Sequence, residues 1–378
     1  MKDKVNHLRI MLNEQEYENK KIYMTLGIGF GFCTKWLRLG EQGDLVRVNQ
    51  ACGNLFLNYI RILMEREGIP VKSSAFRNAI SLTLETEEQR LNEAGAAFLE
   101  RIYDLKIDPD IFRQAKETMT AQFAENCKDS RFKARYQMLE ATDWRKDFNL
   151  QELVQSVKDI EEEDFKFFYE NCVVLSNSCL FINGNVSVLK NGALFDTIEE
   201  IERTGQTVCL AVPPKDIYLK DDGHILQVGD QNIEFGCIRF DFLNTEISVP
   251  LKYALLSVIG EILFDGQQEI NSDYFDSSIL YFTCPLKTYK NKVYTALTEE
   301  TVEKASKNIL ARYTEMLEKR PDEFGALAVS HYFDQGDLIL FLELVAYNGC
   351  TLFQELFKEG DLKISENQLV VVGGQKDE

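Results

Sequence analysis

The chain has 378 residues, 45% apolar and 27% charged, which is typical of a soluble globular protein with two or three domains. Its net charge of −19 repels phosphate backbones and argues against a nucleic-acid partner. A basic peptide or a partner with a basic face is favoured instead, unless the charge only serves solubility. The nine cysteines form no C-x-x-C motif, which is typical of reduced thiols in a cytoplasmic protein. We predict no signal peptide and no membrane span, because no apolar run is suitable.

The first half of the chain predicts alternating strands and helices. Apolar residues at helical spacing, such as Leu55, Ile60 and Leu63, indicate a long amphipathic helix. Asp108 and Pro109 supply an N-cap and a first-turn proline for a later helix. In chain order the predicted elements are a strand at Lys21–Phe32, a helix at Asp44–Glu67, a strand at Ser74–Thr86, helices at Glu87–Tyr103, Asp110–Asn126 and Asp159–Cys172, and a strand at Ser178–Asn183.

The second half repeats this order in shorter form, which predicts a duplication. Its closing strand, NQLVVVGG, matches the segment LFINGN that closes the first half, although chance similarity between α/β halves is the alternative. We predict domains at residues 1–190 and 223–378, joined by a linker region at 191–222 that contains adjacent prolines. The predicted elements are a strand at Gln231–Phe242, helices at Pro250–Phe264 and Glu299–Lys319, and a strand at Asn367–Gly374.

The few histidines limit the chemistry that the chain can carry. His7, His224 and His331 are far apart, and no motif links them to a cysteine, so a cysteine nucleophile is not supported. The segment GIGFGF contains G-x-G without a third glycine, so it does not match a dinucleotide fingerprint. The acidic runs at 161–164 and 199–203 are most simply solvated helix faces.

Several segments follow one another in a characteristic order and spacing. Gly43 precedes Leu45–Gln50, LFINGNVS ends a strand in glycine, and GDQNIEFGCIRFDF precedes SVPLKYALLSVIGEILF. In this order they resemble one half-length chain of the insulinase/pitrilysin-type zinc metallopeptidases. The resemblance implies an α/β (α+β) fold with two homologous domains, each a mostly antiparallel sheet backed by helices.

That family carries an inverted H-x-x-E-H motif, in which two histidines on one helix face bind Zn²⁺ and the glutamate polarises water. Aligned from the glycine, the positions of the first histidine, the glutamate, the second histidine and the distant third ligand are Val46, Asn49, Gln50 and Gln122. A shift of one residue gives Arg47, Gln50 and Ala51. Valine cannot ligate zinc and neutral amides are poor ligands. The resemblance therefore implies a degenerate site with no metal and no catalytic residue in this chain.

The second domain of the family usually carries an arginine and a tyrosine, seven residues apart, that grip the substrate backbone. Here Gln267 stands at the arginine position and Tyr274 at the tyrosine position. Packing of Tyr274 within a strand is the alternative. Little sequence separates Tyr274 from the next predicted helix, so we expect a trimmed second domain.

The resemblance also implies an edge strand near Lys72–Ile80 that pairs with extended peptide. Such β-augmentation depends on backbone hydrogen bonds, so side-chain changes do not abolish it. We expect Lys72, Ser74 and Phe76 to contact the peptide, unless another element covers the edge.

These features imply a non-catalytic subunit of a heterodimeric peptidase, which shapes a chamber and binds peptide while a zinc-bearing homologue holds the metal. No cofactor is expected in this chain. Family pairs of this kind resemble those that mature peptide bacteriocins in bacteria. The alternative is a pseudoenzyme without a peptidase partner, which would act as a peptide-binding or scaffolding homodimer.

Overall fold

The computed structural model describes residues 8–40, 43–129, 132–133, 136, 150–189, 192–201, 208–210, 224–227, 233–242, 247–264, 268–272, 277–283, 296–334, 336–347, 355 and 362–372. The chain forms two compact units, neither of which is continuous in sequence. The first comprises Met1–Ala124, Gln151–Pro213 and Met316–Phe333. The second comprises Glu125–Leu150, Pro214–Glu315 and Asp334–Glu378. A segment from the second half of the sequence therefore belongs to the first unit.

The secondary structure alternates along the chain as the sequence predicts. The strands are β1 (Arg9–Glu14), β2 (Lys21–Ile28), β3 (Trp36–Leu39), β4 (Leu45–Arg47), β5 (Val71–Ala75), β6 (Ile80–Glu87), β7 (Ser178–Gly184), β8 (Val208–Leu210), β9 (His224–Gln227), β10 (Ile233–Phe242), β11 (Gln268–Ser272), β12 (Ser277–Thr283) and β13 (Leu362–Val372). The helices are α1 (Cys52–Arg66), α2 (Leu91–Tyr103), α3 (Pro109–Asn126), α4 (Leu150–Asp159), α5 (Glu162–Cys172), α6 (Ala193–Glu200), α7 (Val249–Phe264), α8 (Glu299–Lys319), α9 (Pro321–Phe333) and α10 (Leu338–Tyr347).

Most predicted elements are confirmed, including the start of α3. Asp108 caps that helix, because its Oδ1 accepts the N–H groups of Asp110 and Ile111 at 2.8 and 3.3 Å. The strand predicted at Ser74–Thr86 is confirmed in β6, but its first residues, Ser74 and Ala75, end β5 and precede the turn of the β5–β6 hairpin. The helix predicted at Asp159–Cys172 is confirmed as α5, which begins at Glu162, whereas Asp159 is the last residue of α4.

The helix predicted from Asp44 begins eight residues later, at Cys52. The segment before it forms β4, which pairs with β3 in a second sheet of order β4-β3-β8. The turn between β4 and α1 contains Asn49, whose Oδ1 accepts the N–H of Ala51 at 2.9 Å. Such a side-chain bond to the local backbone competes with helical hydrogen bonds, so the helix begins only after this turn.

The main sheet of the first unit has the order β1-β7-β2-β6-β5. β1 and β7 are parallel, and the other neighbours are antiparallel. Alternate residues face opposite sides, so Ile22, Met24 and Leu26 of β2 join the core that α1, α2, α3 and α5 cover. Each large apolar side chain buried there contributes about 1.5–3 kcal/mol.

The other face of this sheet is covered by α9. A Cβ at Gly325 would lie 3.3 Å from the Cβ of Thr25 and would overlap its Oγ1. A Cβ at Gly27 would lie 3.0 Å from Val329 Cγ2 and would overlap its Cγ1. Two glycines therefore allow α9 to approach β2 closely. Helices α9 and α10 were not predicted from the sequence.

The region predicted as a linker contains regular structure of the first unit. Helix α6 packs against α2, and β8 pairs with β3. Gly192 precedes α6, and Leu194 and Thr197 of this helix are buried. Residues 192–201 and 208–210 are therefore part of the packing of this unit.

The second unit repeats the topology of the first. Its sheet has the order β11-β12-β10-β13-β9, with β9 and β13 parallel and the other pairs antiparallel. In the chain, α7 lies between β10 and β11, as α1 lies between β2 and β5. Glu261 of α7 is buried and accepts bonds from Arg312 and, at 3.1 Å, from Asn308 of α8. In the described part of the chain, none of the helices is both long and apolar enough to cross a bilayer.

Candidate functional site

Three of the four predicted zinc-site positions, Val46, Asn49 and Gln50, lie before α1. Val46 lies in β4, opposite Leu37 of β3. Asn49 lies in the following turn, where its Nδ2 donates to the carbonyl of Ser156 in α4 at 3.1 Å while its Oδ1 accepts from Ala51. Both ends of this amide are used within the protein, so Asn49 fixes the start of α1 rather than facing a ligand.

The remaining predicted positions lie in different surroundings. Gln50 is 2% exposed, and its Oε1 has no hydrogen-bond partner among the described residues. Gln122 is exposed on α3. In the alternative register Ala51 is fully buried, and the Arg47 guanidinium lies 3.8 Å from a carboxylate oxygen of Glu152. Neither register therefore gathers donors around one point, as a metal site requires.

A narrow polar stripe interrupts the buried surface of α1. With 3.6 residues per turn, Asn54, Asn58, Arg61 and Glu65 share one side of the helix, and none is buried. Leu57, beside them, is only 5% exposed. Asn58 Nδ2 donates to the Asn54 carbonyl at 3.0 Å, and Asn58 Oδ1 accepts from Arg61 at 3.4 Å. We call Asn54, Asn58 and Arg61 the α1 stripe.

The α1 stripe has the spacing of an inverted zinc motif without its ligands. Asn54 and Asn58 are four residues apart on one helix face, and Leu57 stands at the glutamate position. Carboxamides are poor zinc ligands and leucine cannot activate water, so these residues do not fit a metal. Sequence reasoning missed them because the helix was expected to begin at Asp44. The signal was N-x-x-L-N, once the true start of α1 is known.

Neighbouring groups do not supply the missing ligands. The Cys52 thiol donates to the carbonyl of Asp164 at 3.5 Å, and burial raises the pKa of Cys52 well above its ordinary value. It therefore resists forming the thiolate that zinc requires. Within the described ranges, no group of three or more histidine, cysteine, aspartate or glutamate side chains could hold a metal ion.

The predicted peptide-contact residues use their backbone groups within the first unit: Lys72 and Ser74 lie in β5, and Phe76 follows it. Phe76 donates its N–H to the carbonyl of Ala79 at 2.8 Å, and its own carbonyl accepts from Phe32 at 3.0 Å. Bonded and non-bonded pairs alternate along an antiparallel ladder. The register therefore directs the N–H and C=O groups of Ser74 and Lys72 towards β6. These three residues do not offer backbone groups at the open side of β5.

The intervening residues of β5 form the open edge. By the same alternation, the N–H and C=O groups of Val71, Ser73 and Ala75 point away from β6, and β6 is the only described strand that pairs with β5. Their side chains lie on the face of the sheet that α1 covers. Val71 is buried there, whereas Ser73 and Ala75 are exposed. Small exposed residues therefore line this end of the edge.

Lys72 lies on the opposite face of the sheet, which α9 covers. Its Nζ lies 3.0 Å from the Asp322 carboxylate of α9, and this hydrogen bond raises the pKa of Lys72. The side chain is 63% exposed, so the pair contributes little to stability. Lys72 thus links β5 to α9 and lies apart from the α1 stripe.

Helix α1 and strand β5 run in opposite directions. At the start of α1, a Cβ on Gly53 would lie 3.2 Å from Ile80, which pairs with Ala75 at the end of β5. At the other end, residues 67–70 connect Arg66 to Val71. The start of the helix therefore lies level with the end of the strand.

The α1 stripe points towards the open edge of β5. Phe56, on the opposite flank of α1, packs against Phe168 of α5 with ring centroids 5.6 Å apart. Phe168 also packs against Phe30, which follows the central strand β2, with ring centroids 4.7 Å apart. Helix α5 therefore lies on the side of α1 that is nearer the middle of the sheet. Since α1 contacts β5 and β6, the flank away from α5 faces the β5 margin. We call the α1 stripe and the outward groups of Val71, Ser73 and Ala75 the β5 edge site.

The loop after β2 holds the β5–β6 turn in place. Cys33 donates its N–H to the carbonyl of Arg77 at 3.0 Å, and Gly31 donates to Thr34 Oγ1 at 3.1 Å. A Cβ at Gly31 would overlap the backbone of Arg77 and Asn78. Only glycine permits this close approach, which fixes one end of β5.

A largely buried lysine anchors the same loop to α4. Lys35 is 7% exposed, and its Nζ lies 2.6 Å from Glu152 Oε2. The hydrogen bond from Lys35 lowers the pKa of the Glu152 carboxyl. This ion pair links β3 to α4, the helix that Asn49 also contacts, so it supports the start of α1.

The predicted substrate residues of the second domain lie outside the described residues. This holds for Gln267 and for Tyr274, so their roles stay predictions. The short segment that follows Tyr274 contains β12, which pairs with both β10 and β11. The second unit therefore keeps a complete counterpart of β6 in its sheet.

No protein-family model matches this sequence, and no curated protein matches it. Solved structures with similar folds do exist. A protein assigned to the M16-like peptidases of Alicyclobacillus acidocaldarius aligns with TM-score 0.69 and 12% identity over 98% of this chain and 96% of its own. A peptidase M16 inactive domain from Pseudomonas fluorescens gives TM-score 0.60 and 12% identity over 97% of both chains. A chain of complex III2 from Candida albicans gives a TM-score of 0.67 and 15% identity over 96% of this chain and 94% of its own. At these identities the similarity shows the fold: this chain has the two-domain fold of M16-like peptidases.

Proposed function

We propose that this chain binds extended peptide at the β5 edge site and acts as a non-catalytic subunit of an insulinase/pitrilysin-type zinc peptidase. The α1 stripe carries this proposal. Asn54 and Asn58 stand beside an open strand edge, at the spacing where a peptidase of this fold would hold zinc. The outward backbone groups of β5 suit pairing with a peptide, whereas the amides of the stripe do not suit the metal.

A homologous subunit would supply the chemistry that this chain lacks. Its Zn²⁺ would polarise the scissile carbonyl and activate water, while the β5 edge site holds peptide in extended form. The similarity to an inactive M16 domain supports the idea that this fold serves without its own metal site. With a net charge of −19, a basic face on the partner would complement this chain.

The biological setting rests on the family resemblance. We propose a cytoplasmic pair that acts on short or unfolded peptides, with maturation of peptide bacteriocins as the setting. No resident cofactor is proposed for this chain, and zinc is assigned to the partner.

A tagged pull-down from the native cell, with mass spectrometry and zinc analysis, tests the partner. The expected result is an equimolar homologue with H-x-x-E-H and one Zn²⁺ per pair. Stoichiometric zinc and chelator-sensitive proteolysis by the chain alone would overturn the non-catalytic assignment. Recovery of the chain only with itself would favour the peptide-binding homodimer instead.

Substitutions at one outward position of β5 test the peptide site. Ser73→Pro removes an N–H that points to the open edge and costs no bond to β6, whereas Ser73→Ala keeps that N–H. We expect Ser73→Pro to abolish capture of random decapeptides on the immobilised chain, and Ser73→Ala to retain it. Lys72→Ala, on the opposite face, is the second control. Equal capture by Ser73→Pro and wild type would contradict pairing at this edge.

A further inference from the structure

Arg61 is the charged member of the α1 stripe, and none of the described residues forms an ion pair with it. Its guanidinium donates to Asn58 Oδ1 at 3.4 Å, a long hydrogen bond. No carboxylate in the described part of the chain lies within 4.0 Å of it. By contrast, Lys72 pairs with Asp322 and Arg101 pairs with Glu67, each at 3.0 Å.

The position of Arg61 along α1 matches the first half of β5, Val71–Ser73. A helix rises about 1.5 Å per residue, so Arg61 lies about 7.5 Å before the end of α1 at Arg66. A strand advances about 3.3 Å per residue. Since α1 and β5 run in opposite directions, counting back from Arg66 brings Arg61 level with Ser73, and counting on from Gly53, which lies level with Ala75, brings it level with Val71. The backbone groups of both strand residues face the open edge. Asn54 lies about 10 Å further along α1, or about three residues of an extended peptide.

We propose that Arg61 binds a carboxylate of the peptide that pairs with β5. This inference rests on the proposed function and adds a preference at one peptide position. Guanidinium presents planar pairs of donors that match the two oxygens of a carboxylate. An aspartate or glutamate side chain and a free C-terminus offer the same group. The preference is local and is distinct from the long-range attraction of an acidic chain for basic peptides.

Two random decapeptide libraries, one amidated and one with a free C-terminus, separate these sources. Each is captured on the immobilised full chain and sequenced by mass spectrometry. Arg61→Gln removes the charge at the stripe, and Arg113→Gln removes the same charge from an exposed site on α3. We expect wild type and Arg113→Gln to enrich acidic residues at one position in both libraries, and Arg61→Gln to lose this enrichment. Capture of the free-acid library alone, without an enriched acidic residue and lost on Arg61→Gln, would assign the carboxylate to the C-terminus.

An enriched peptide then allows a test that does not depend on the variant folding. Replacing its glutamate by glutamine should weaken binding to the wild type about tenfold, as expected for a hydrogen bond to a charged group. The same replacement should change binding to Arg61→Gln less than about twofold. Equal capture of both libraries without acidic preference, or an unchanged preference on Arg61→Gln, would overturn the role of Arg61. Absence of any captured peptide would instead overturn the proposed function.

Discussion

The close approach of α9 to β2 predicts strong coupling between Gly27 and Val329. Val329 is 0% exposed, and a Cβ at Gly27 would lie 3.0 Å from its Cγ2, closer than the 3.5–4.0 Å optimum for two carbons. Gly27→Ala should therefore destabilise the first unit by about 1–2 kcal/mol. Overpacking costs about 1–3 kcal/mol, and alanine offsets part of this because it is about 0.5–1 kcal/mol more stable than glycine within a strand. Val329→Ala should cost about 2 kcal/mol through lost burial and the cavity that it leaves.

The double variant tests this reasoning, because Val329→Ala makes room for the new methyl group. We expect Gly27→Ala/Val329→Ala to be about 2 kcal/mol more stable than the sum of the single effects predicts. Urea unfolding followed by Trp36, which lies in β3 of the first unit, measures it in a Trp144→Phe background. Val302→Ala, a matched buried valine in α8, should combine additively with Gly27→Ala. Additivity within about 0.5 kcal/mol for the Val329 pair would refute the packing of α9 on β2.

Three further predictions address the site and its support. Asn54→His/Asn58→His should bind Zn²⁺ and show a zinc-dependent rise in melting temperature, whereas Val46→His/Gln50→His should not; the reverse result would restore the original register. Gln50→Met removes a buried oxygen without a partner and should raise the free energy of unfolding by about 1 kcal/mol, so a loss of stability would contradict that burial. Folding lowers the pKa of Glu152, because Lys35 donates a hydrogen bond to its carboxylate. The contribution of this carboxylate to stability is therefore present above its unfolded-state pKa of about 4.3, and it is lost as the pH falls through its folded-state pKa. The urea midpoints of wild type and Glu152→Gln should therefore differ at pH 6 and converge below about pH 4; a constant difference would contradict the ion pair.

Local sequence determined much of the fold. Apolar alternation and helical spacing depend on neighbours within a few residues, so β2, β7, α2 and α8 were predictable. The start of α3 was also predictable, because Asp108 and Pro109 stabilise it through contacts within one turn. The repeated order of elements likewise agrees with the repeated topology of the two sheets. The same local information excluded histidine ligands, which depend on residue type alone.

Tertiary structure decided where these elements begin and what they cover. Residues 45–47 join β4 because β3 pairs with them, and this long-range pairing shifts the start of α1 to Cys52 and moves the polar stripe to Asn54, Asn58 and Arg61. The inward and outward groups of β5 follow from its register with β6, which a one-residue shift would reverse. The place of α9 in the first unit depends on Gly27 and Gly325, which are far apart in sequence. Local patterns specify the elements, whereas contacts between distant residues specify their ends, faces and partners.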